Sequence, residues 1–171
     1  MTRLLAVVAA AAALAAPAAA SRDDIVRIGH VTDGDTVTLV SGARVRLVQI
    51  DTPEVFSGTE CFGRAASNAL KRMLPPGTEV RLVADPALDK VDRYDRLLRY
   101  VVRVCDGMNV NIALVREGIA APYFFHGDRG RYANLLTKLA LRARAEHLGL
   151  WGACPRTPVD FERAVDTGSA G

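Results

Sequence analysis

The chain has 171 residues, half of them apolar and 24% charged, with a formal net charge of +3. That length suits one domain of ordinary size rather than two, and the balance is that of a soluble globular protein, which excludes disorder throughout. The small positive excess does not by itself mark a nucleic-acid binder, so a phosphate-binding argument must rest on where particular arginines sit.

The first twenty residues stand apart. Arg3 supplies a positive start, Leu4 to Ala16 form a short apolar run, and Ala18-Ala19-Ala20 precede Ser21. These are the three parts of a secretory signal peptide. The alternative is a membrane anchor, but the run stops at Pro17, well short of the roughly 20 residues that span a bilayer. Residues 1–20 are expected to be removed after Ala20. The product would be secreted or held in the periplasm or cell envelope, with no membrane attachment. Without Arg3, Lys and Arg fall from 22 to 21 against 19 Asp and Glu, a charge of +2.

From Asp24 to Thr32, Ile25, Ile28 and Val31 alternate well enough to predict a first strand. Val37 to Val40 and Arg44 to Ile50 are two more, joined at the hairpin signal Ser41-Gly42. In the latter, Arg46 shares a face with Val48 and Ile50. A charge so placed is either stranded in a core or held for a partner, and the cost of an unpaired buried charge favours the partner. Pro53 ends the pattern. Gly63 to Leu74 carries Ala66, Ala69, Leu70 and Met73 at helical spacing and stops at Pro75-Pro76-Gly77.

Glu79 to Ala84 is the fourth strand and Arg96 to Cys105 the fifth, separated by a polar, turn-rich loop. A second helix is predicted over Val110 to Arg116, ended by Gly118. A third runs from Arg131 to Leu148, with Tyr132, Leu135, Leu136, Leu139 and Ala143 on its apolar face and Lys138, Arg142, Arg144 and His147 in water. Trp151 is expected to pack back on the sheet. Five short strands with a helix after the third predict an α+β, mainly β, fold: a five-stranded OB-type barrel with three helices over residues 21–154. Residues 155–171 lose all periodicity and read as a flexible tail.

Cys61, Cys105 and Cys154 are the three cysteines. Export would permit one disulfide. Cys105 lies in a strand-like run and reads as a small core filler. Cys61 and Cys154 both sit beside turn signals, so a Cys61–Cys154 bridge is favoured, although sequence alone does not settle connectivity. No spacing resembles a zinc site, and His30, His126 and His147 are scattered.

Asp33, Asp35, Asp51 and Glu54 are the candidates for chemistry. Asp35 leads into one strand and Asp51 closes another, so a sheet could bring their carboxylates together. Two carboxylates, a main-chain carbonyl and waters suit Ca²⁺. Each motif alone also reads as a turn or a strand end.

Taken in order, VTDGDTVTL, VRLVQIDTPE, DRYDRLLRYV and NIALVREGIA resemble the staphylococcal-nuclease-like (thermonuclease) family, from about Val26 to Trp151. The resemblance implies an OB-fold barrel with three helices and Ca²⁺-dependent cleavage of DNA and RNA to 3′-phosphate ends. By matching position, it implies that Asp35 and Asp51 hold Ca²⁺, with the Thr52 carbonyl as a third protein ligand. Glu54 would act on the attacking water, as general base or orienting group. Arg46 and Arg96 would clamp the scissile phosphate, and Tyr94 would lie near a neighbouring phosphate or base. The residue chemistry agrees: arginine matches two phosphate oxygens and stays charged, and a carboxylate can take a proton from water.

Some positions depart from the family's pattern. The loop from Val55 to Phe62 has no lysine, Ala65 replaces a glutamate at the start of the first helix, and Asp95 replaces a glycine beside Arg96. Asp95 could pair with Arg96 or point to solvent, and the alternation of an extended segment favours solvent. Tyr123, Phe124 and Phe125 supply aromatic surface whose register is left open. The alternatives to a nuclease are a non-catalytic OB module that binds nucleic acid and an envelope interaction module. A monomer is expected.

Overall fold

The structure, a computed structural model, describes residues 25–168 except Ser57. The signal peptide expected over residues 1–20 lies outside the described residues. Five strands close a barrel in the order β1 (Ile25–Val31), β2 (Thr36–Leu39), β3 (Arg44–Leu47), β6 (Leu97–Arg103) and β5 (Glu79–Val83). All neighbours are antiparallel except β3 and β6, which run parallel. This is the OB-type barrel the strand pattern predicts. Among the described residues no helix is long and apolar enough to cross a membrane.

The inward positions follow the alternation of the sequence. Ile28, Val37, Leu39, Val45, Leu47, Val80 and Val101 fill the barrel. Helix α1 (Gly63–Met73) adds Leu70, α2 (Val110–Arg116) adds Leu114, and α3 (Ala133–Ala145) adds Leu136 and Ala140. Trp151, in the short helix α4 (Leu150–Ala153), is buried against the same core. The Asn109 side chain caps α2 by accepting from the Ile112 N–H. Gly118 leaves that helix at φ 68°, and a Cβ there would strike the Leu148 carbonyl, so glycine lets α2 and α4 meet.

Several local expectations change. The third strand ends at Leu47, three residues early, because Gln49 takes φ 64° and breaks the ladder. After that break Ile50–Asp51 forms a separate strand, β4, paired with β7 (Ala121–Pro122). Cys105 is not a core residue: β6 ends at Arg103, and Cys105 is exposed in the turn that follows. Cys61 and Cys154 are joined by a disulfide with Cα atoms 6.1 Å apart. Residues 155–168 contain no helix or strand, in keeping with their lack of periodicity. They are nevertheless fastened to the domain: Phe161 accepts from the Phe124 N–H at 2.7 Å, and Gly168 accepts from the Cys61 N–H at 2.8 Å.

The parallel β3–β6 junction is held by one buried side chain. Asn111 accepts from the Val101 N–H at 3.0 Å and donates to the Val48 carbonyl at 2.9 Å, with a longer contact to the Arg99 carbonyl at 3.4 Å. It thus satisfies main-chain groups from both strands' exits where the ladder cannot. Asn111→Ala is expected to reduce stability by about 2–4 kcal/mol, since the orphaned groups stay buried. Urea unfolding checks this: the midpoint should fall while the slope stays unchanged.

Candidate active site

Arg46 occupies the centre of the site. It lies opposite Thr36 on β2 and Leu98 on β6, one residue before the strand ends. Its Nη1 is 2.7 Å from Asp35 Oδ2, and its Nη2 donates to Asp51 Oδ1 at 2.5 Å. Nη1 also donates to the Ile50 carbonyl at 3.0 Å, so the fork is held by both acids and the turn after β3. The partner that the sequence required for Arg46 is this pair of carboxylates.

The turn before β2 sets Asp35. The Asp33 carboxylate accepts from the Asp35 N–H at 3.1 Å and shapes the Asp-Gly-Asp turn. A Cβ at Gly34 would run into the Thr52 side chain, so the glycine is needed for the turn to lie against the end of β4. Asp35 Oδ2 then accepts from the Thr52 N–H at 3.1 Å and its hydroxyl at 3.2 Å, while Oδ1 accepts from the Thr36 hydroxyl at 3.1 Å. Asp51 Oδ2 accepts from the Val165 N–H at 2.8 Å.

Asp35 and Asp51 are both buried. Burial raises the pKa of each, Arg46 pulls both down, and the outcome is still a rise, helped by the other acids nearby. One guanidinium cannot balance two buried carboxylates, and Asp33 and Glu54 add to the negative field. For Arg46 itself, burial works against the charge but the two acids outweigh it and push its pKa up. The donor set here is all oxygen and short of positive charge, which fits a hard divalent cation. Among the described residues no group of three or more His, Cys, Asp or Glu is clustered for a metal, so such a cation would need carbonyl and water ligands besides these two carboxylates. Thr52 is buried beside both acids.

Glu54 sits at the exposed rim, its main chain tied to Glu60 in both directions: its carbonyl accepts from the Glu60 N–H and its N–H donates to the Glu60 carboxylate. Partial burial, then Asp51, Asp33 and Glu60, raise its pKa, against a smaller lowering by Arg46. That direction suits a group that must take up a proton.

The two arginines line the same cleft, of about 550 Å³, together with Tyr94, Tyr123, Phe125 and Gln49. Arg96 reaches toward the acids only through Thr36, whose hydroxyl is 3.5 Å from Nη1. Its side chain is set by Asp92, not Asp95: Arg96 Nε donates to Asp92 Oδ2 at 2.7 Å, and its N–H donates to Oδ1 at 3.0 Å. Asp95 is exposed at φ 59°, a left-handed conformation that explains why glycine suits this position and that aspartate tolerates. Tyr94 is half exposed between the Arg93 and Arg96 guanidiniums, 4.7 and 5.4 Å from its ring centre.

The sequence leaves the aromatic register open and does not mark Gln49 as part of the site. Phe124 is buried, and its neighbours Tyr123 and Phe125 turn to the cleft with rings 6.1 Å apart. Strand-like alternation of PYFFH was the available signal. Gln49 donates to the Asp128 carbonyl at 2.9 Å and accepts from the Gly130 N–H at 2.8 Å, fixing the cleft's far wall. Its local sequence held no signal for this, since both partners are about eighty residues away in the chain.

Residues 44–153, more than half of the chain, match the family described as staphylococcal nuclease homologue. The SPbeta prophage-derived endonuclease YokF of Bacillus subtilis (strain 168) is 31% identical over 74% of this chain and 43% of its own length. Protein ParB of Escherichia coli is 36% identical over 88% of this chain and 84% of its own. Thermonuclease of Staphylococcus intermedius is 32% identical over 76% of this chain and 77% of its own. The chain thus spans less than half of the Bacillus protein.

Burial works to raise the Asp92 carboxyl, but the Arg96 and Tyr94 N–H groups and the Arg96 side chain outweigh it and hold it below the usual carboxylate range. The clamp on Arg96 therefore stabilises the fold fully above the unfolded carboxyl pKa, near 3.8, and is lost as pH falls through the lower folded value. Asp92→Ala is expected to reduce stability by about 1.5–3 kcal/mol at neutral pH. In thermal melts the gap to the unaltered protein should close on acidification.

Proposed function

Since the chain belongs to the staphylococcal nuclease family, we propose that it is a secreted, monomeric Ca²⁺-dependent endonuclease that cleaves DNA and RNA with little sequence preference and leaves 3′-phosphate ends. The observation that carries this reading is Arg46, seated on two buried carboxylates and facing a cleft that a second arginine shares. A module that only bound nucleic acid would gain nothing from acids buried beside its phosphate site.

Asp35, Asp51 and the Thr52 carbonyl would hold the cation. When bound, Ca²⁺ would supply positive charge that stabilises the extra negative charge on the phosphoryl oxygens in the transition state. With the two acids so engaged, Arg46 can turn its fork to a non-bridging oxygen of the diester. Arg96, held by Asp92, approaches from the other wall of the cleft. Glu54 takes a proton from the attacking water, or orients it, as the bond to the 5′ oxygen breaks and the phosphate stays on the 3′ side. Tyr94, Tyr123 and Phe125 offer aromatic faces to bases beside that phosphate, with no hydrogen-bonding pattern that would select one base.

Plasmid DNA and a long RNA should both be degraded in Ca²⁺ and left intact in chelator. Intact substrate in Ca²⁺, with folded protein, would overturn the proposal, and salt-sensitive binding that persists in chelator without cleavage would point to a non-catalytic OB module. Glu54→Gln should lower turnover by about 10²–10⁴-fold, the range expected for a lost general base.

Arg46→Ala should be as inactive, yet it is not neutral to the fold. Without cation it strands Asp35 and Asp51, a loss of about 3–5 kcal/mol. Melting the variant in chelator and in excess Ca²⁺ checks this, since the cation should recover part of the loss.

A further inference from the structure

The nuclease reading uses Asp35, Asp51, Glu54 and the arginines, but leaves unexplained why a segment without helix or strand lies against one of those acids. Residues 155–168 leave the last helix, pass the buried ring of Phe124 and end beside Cys61. Three fastenings hold them. Where the segment starts, Cys154 is bonded to Cys61. In its middle, the Phe161 carbonyl accepts from the Phe124 N–H at 2.7 Å, and the two rings meet edge to face at 6.4 Å. At its end, the Thr167 hydroxyl donates to the Cys61 carbonyl at 2.7 Å and the Gly168 carbonyl accepts from the Cys61 N–H at 2.8 Å. Cys61 therefore anchors both ends, by its sulfur and by its main chain.

Between the second and third fastenings lies Val165, buried, whose N–H reaches Asp51 Oδ2 at 2.8 Å. We propose that residues 155–168 form a strap whose Val165 N–H positions Asp51 for the cation.

The division of the two carboxylate oxygens carries the argument. Oδ2 accepts from the Val165 N–H of the strap, and Oδ1 accepts from Arg46 Nη2, the one donor of the two that a cation would compete with for charge. With Oδ2 held by a main-chain donor, the carboxylate keeps its orientation when a cation takes the place of Arg46 at Oδ1. Supports of this kind, one shell out from a metal, typically change its affinity by about 10–100-fold when removed. The Val165 side chain packs, but only its main-chain N–H touches the acid. Its role is therefore separable from packing: proline removes that donor, whereas alanine keeps it. Val165 is a positioning residue, acting through Asp51.

The inference rests on the nuclease reading for its cation, and a Ca²⁺ titration of the full chain by calorimetry separates the two. Val165→Pro should weaken Ca²⁺ binding by about 10–100-fold, while Val165→Ala should stay close to the unaltered protein. Val165→Pro binding Ca²⁺ as tightly as the unaltered protein, or both variants losing affinity equally, would overturn the strap's role and leave the nuclease reading standing. An unaltered protein that takes up no Ca²⁺ would overturn both. Circular dichroism establishes that each variant is folded. Should Val165→Pro fail to fold, Thr167→Val loosens the strap at Cys61 without touching Asp51 or its donor, and there a several-fold loss supports the strap and unchanged affinity overturns it.

Discussion

Two buried carboxylates share one arginine, and most of the local structure follows from that imbalance. A salt bridge taken out of water is seldom a net gain, because desolvation offsets most of the attraction. Here the offset is worse, since Asp35 and Asp51 together carry one more charge than Arg46 can balance, and burial raises the pKa of both. A sequence selected for stability alone would place apolar side chains at these positions. That the barrel instead surrounds the acids with hydrogen-bond donors, from Thr36, Thr52 and Val165, means the arrangement is maintained at a stability cost, as functional sites commonly are.

The barrel makes this possible by topology. Only at the parallel β3–β6 junction do two strands run side by side in the same direction, which brings the segment before β6 alongside the start of β3. Arg96, just before β6, therefore reaches the same cleft as Arg46 although fifty residues separate them. Parallel pairing leaves main-chain groups unsatisfied where the strands diverge, and Asn111 meets that need from α2. The broken end of β3 serves the same purpose. By turning at Gln49, the chain drops Asp51 back under Arg46 instead of carrying it two residues further along the ladder.

The barrel could be read from the chain because its five strands alternate over several residues, and the site because an arginine on the same face as Val48 and Ile50 is costly unless it has a partner. The acidic turn and the Asp-Thr-Pro-Glu segment announced themselves by composition. Other features left no such trace. β4 and β7 are two residues each, too short for any periodicity to register. The left-handed turn at Gln49 is carried by a residue type with no preference for it. Cys105 reads as a core residue because an apolar run precedes it, whereas the chain turns after Arg103 and leaves it exposed. For Arg96 the sequence offers Asp95 only as a neighbour that favours solvent, and gives no sign that Asp92 is its partner. Geometry settles the pairing, since Asp92 lies across a tight turn from Arg96 and Asp95 points to water.

The C-terminal segment leaves no trace in the sequence for a different reason. Periodicity reports the environment of a face, and a segment that runs over a surface in extended form has no repeating face to report. What orders residues 155–168 is chiefly a set of main-chain hydrogen bonds, together with the disulfide at Cys154, the Thr167 hydroxyl and the Phe161 ring, none of them part of a repeating pattern. Such ordering is invisible in hydropathy and is still specific, because each donor or acceptor, at Phe161, Val165, Thr167 and Gly168, meets one defined partner on the domain. The groups of the candidate site are thus supported separately: Arg96 by Asp92 in its own loop, Asp35 by the hydroxyl and N–H of Thr52, and Asp51 by the Val165 amide of the C-terminal segment. Arg46 is paired with both acids at once, so it is the group that a change at either acid would disturb first.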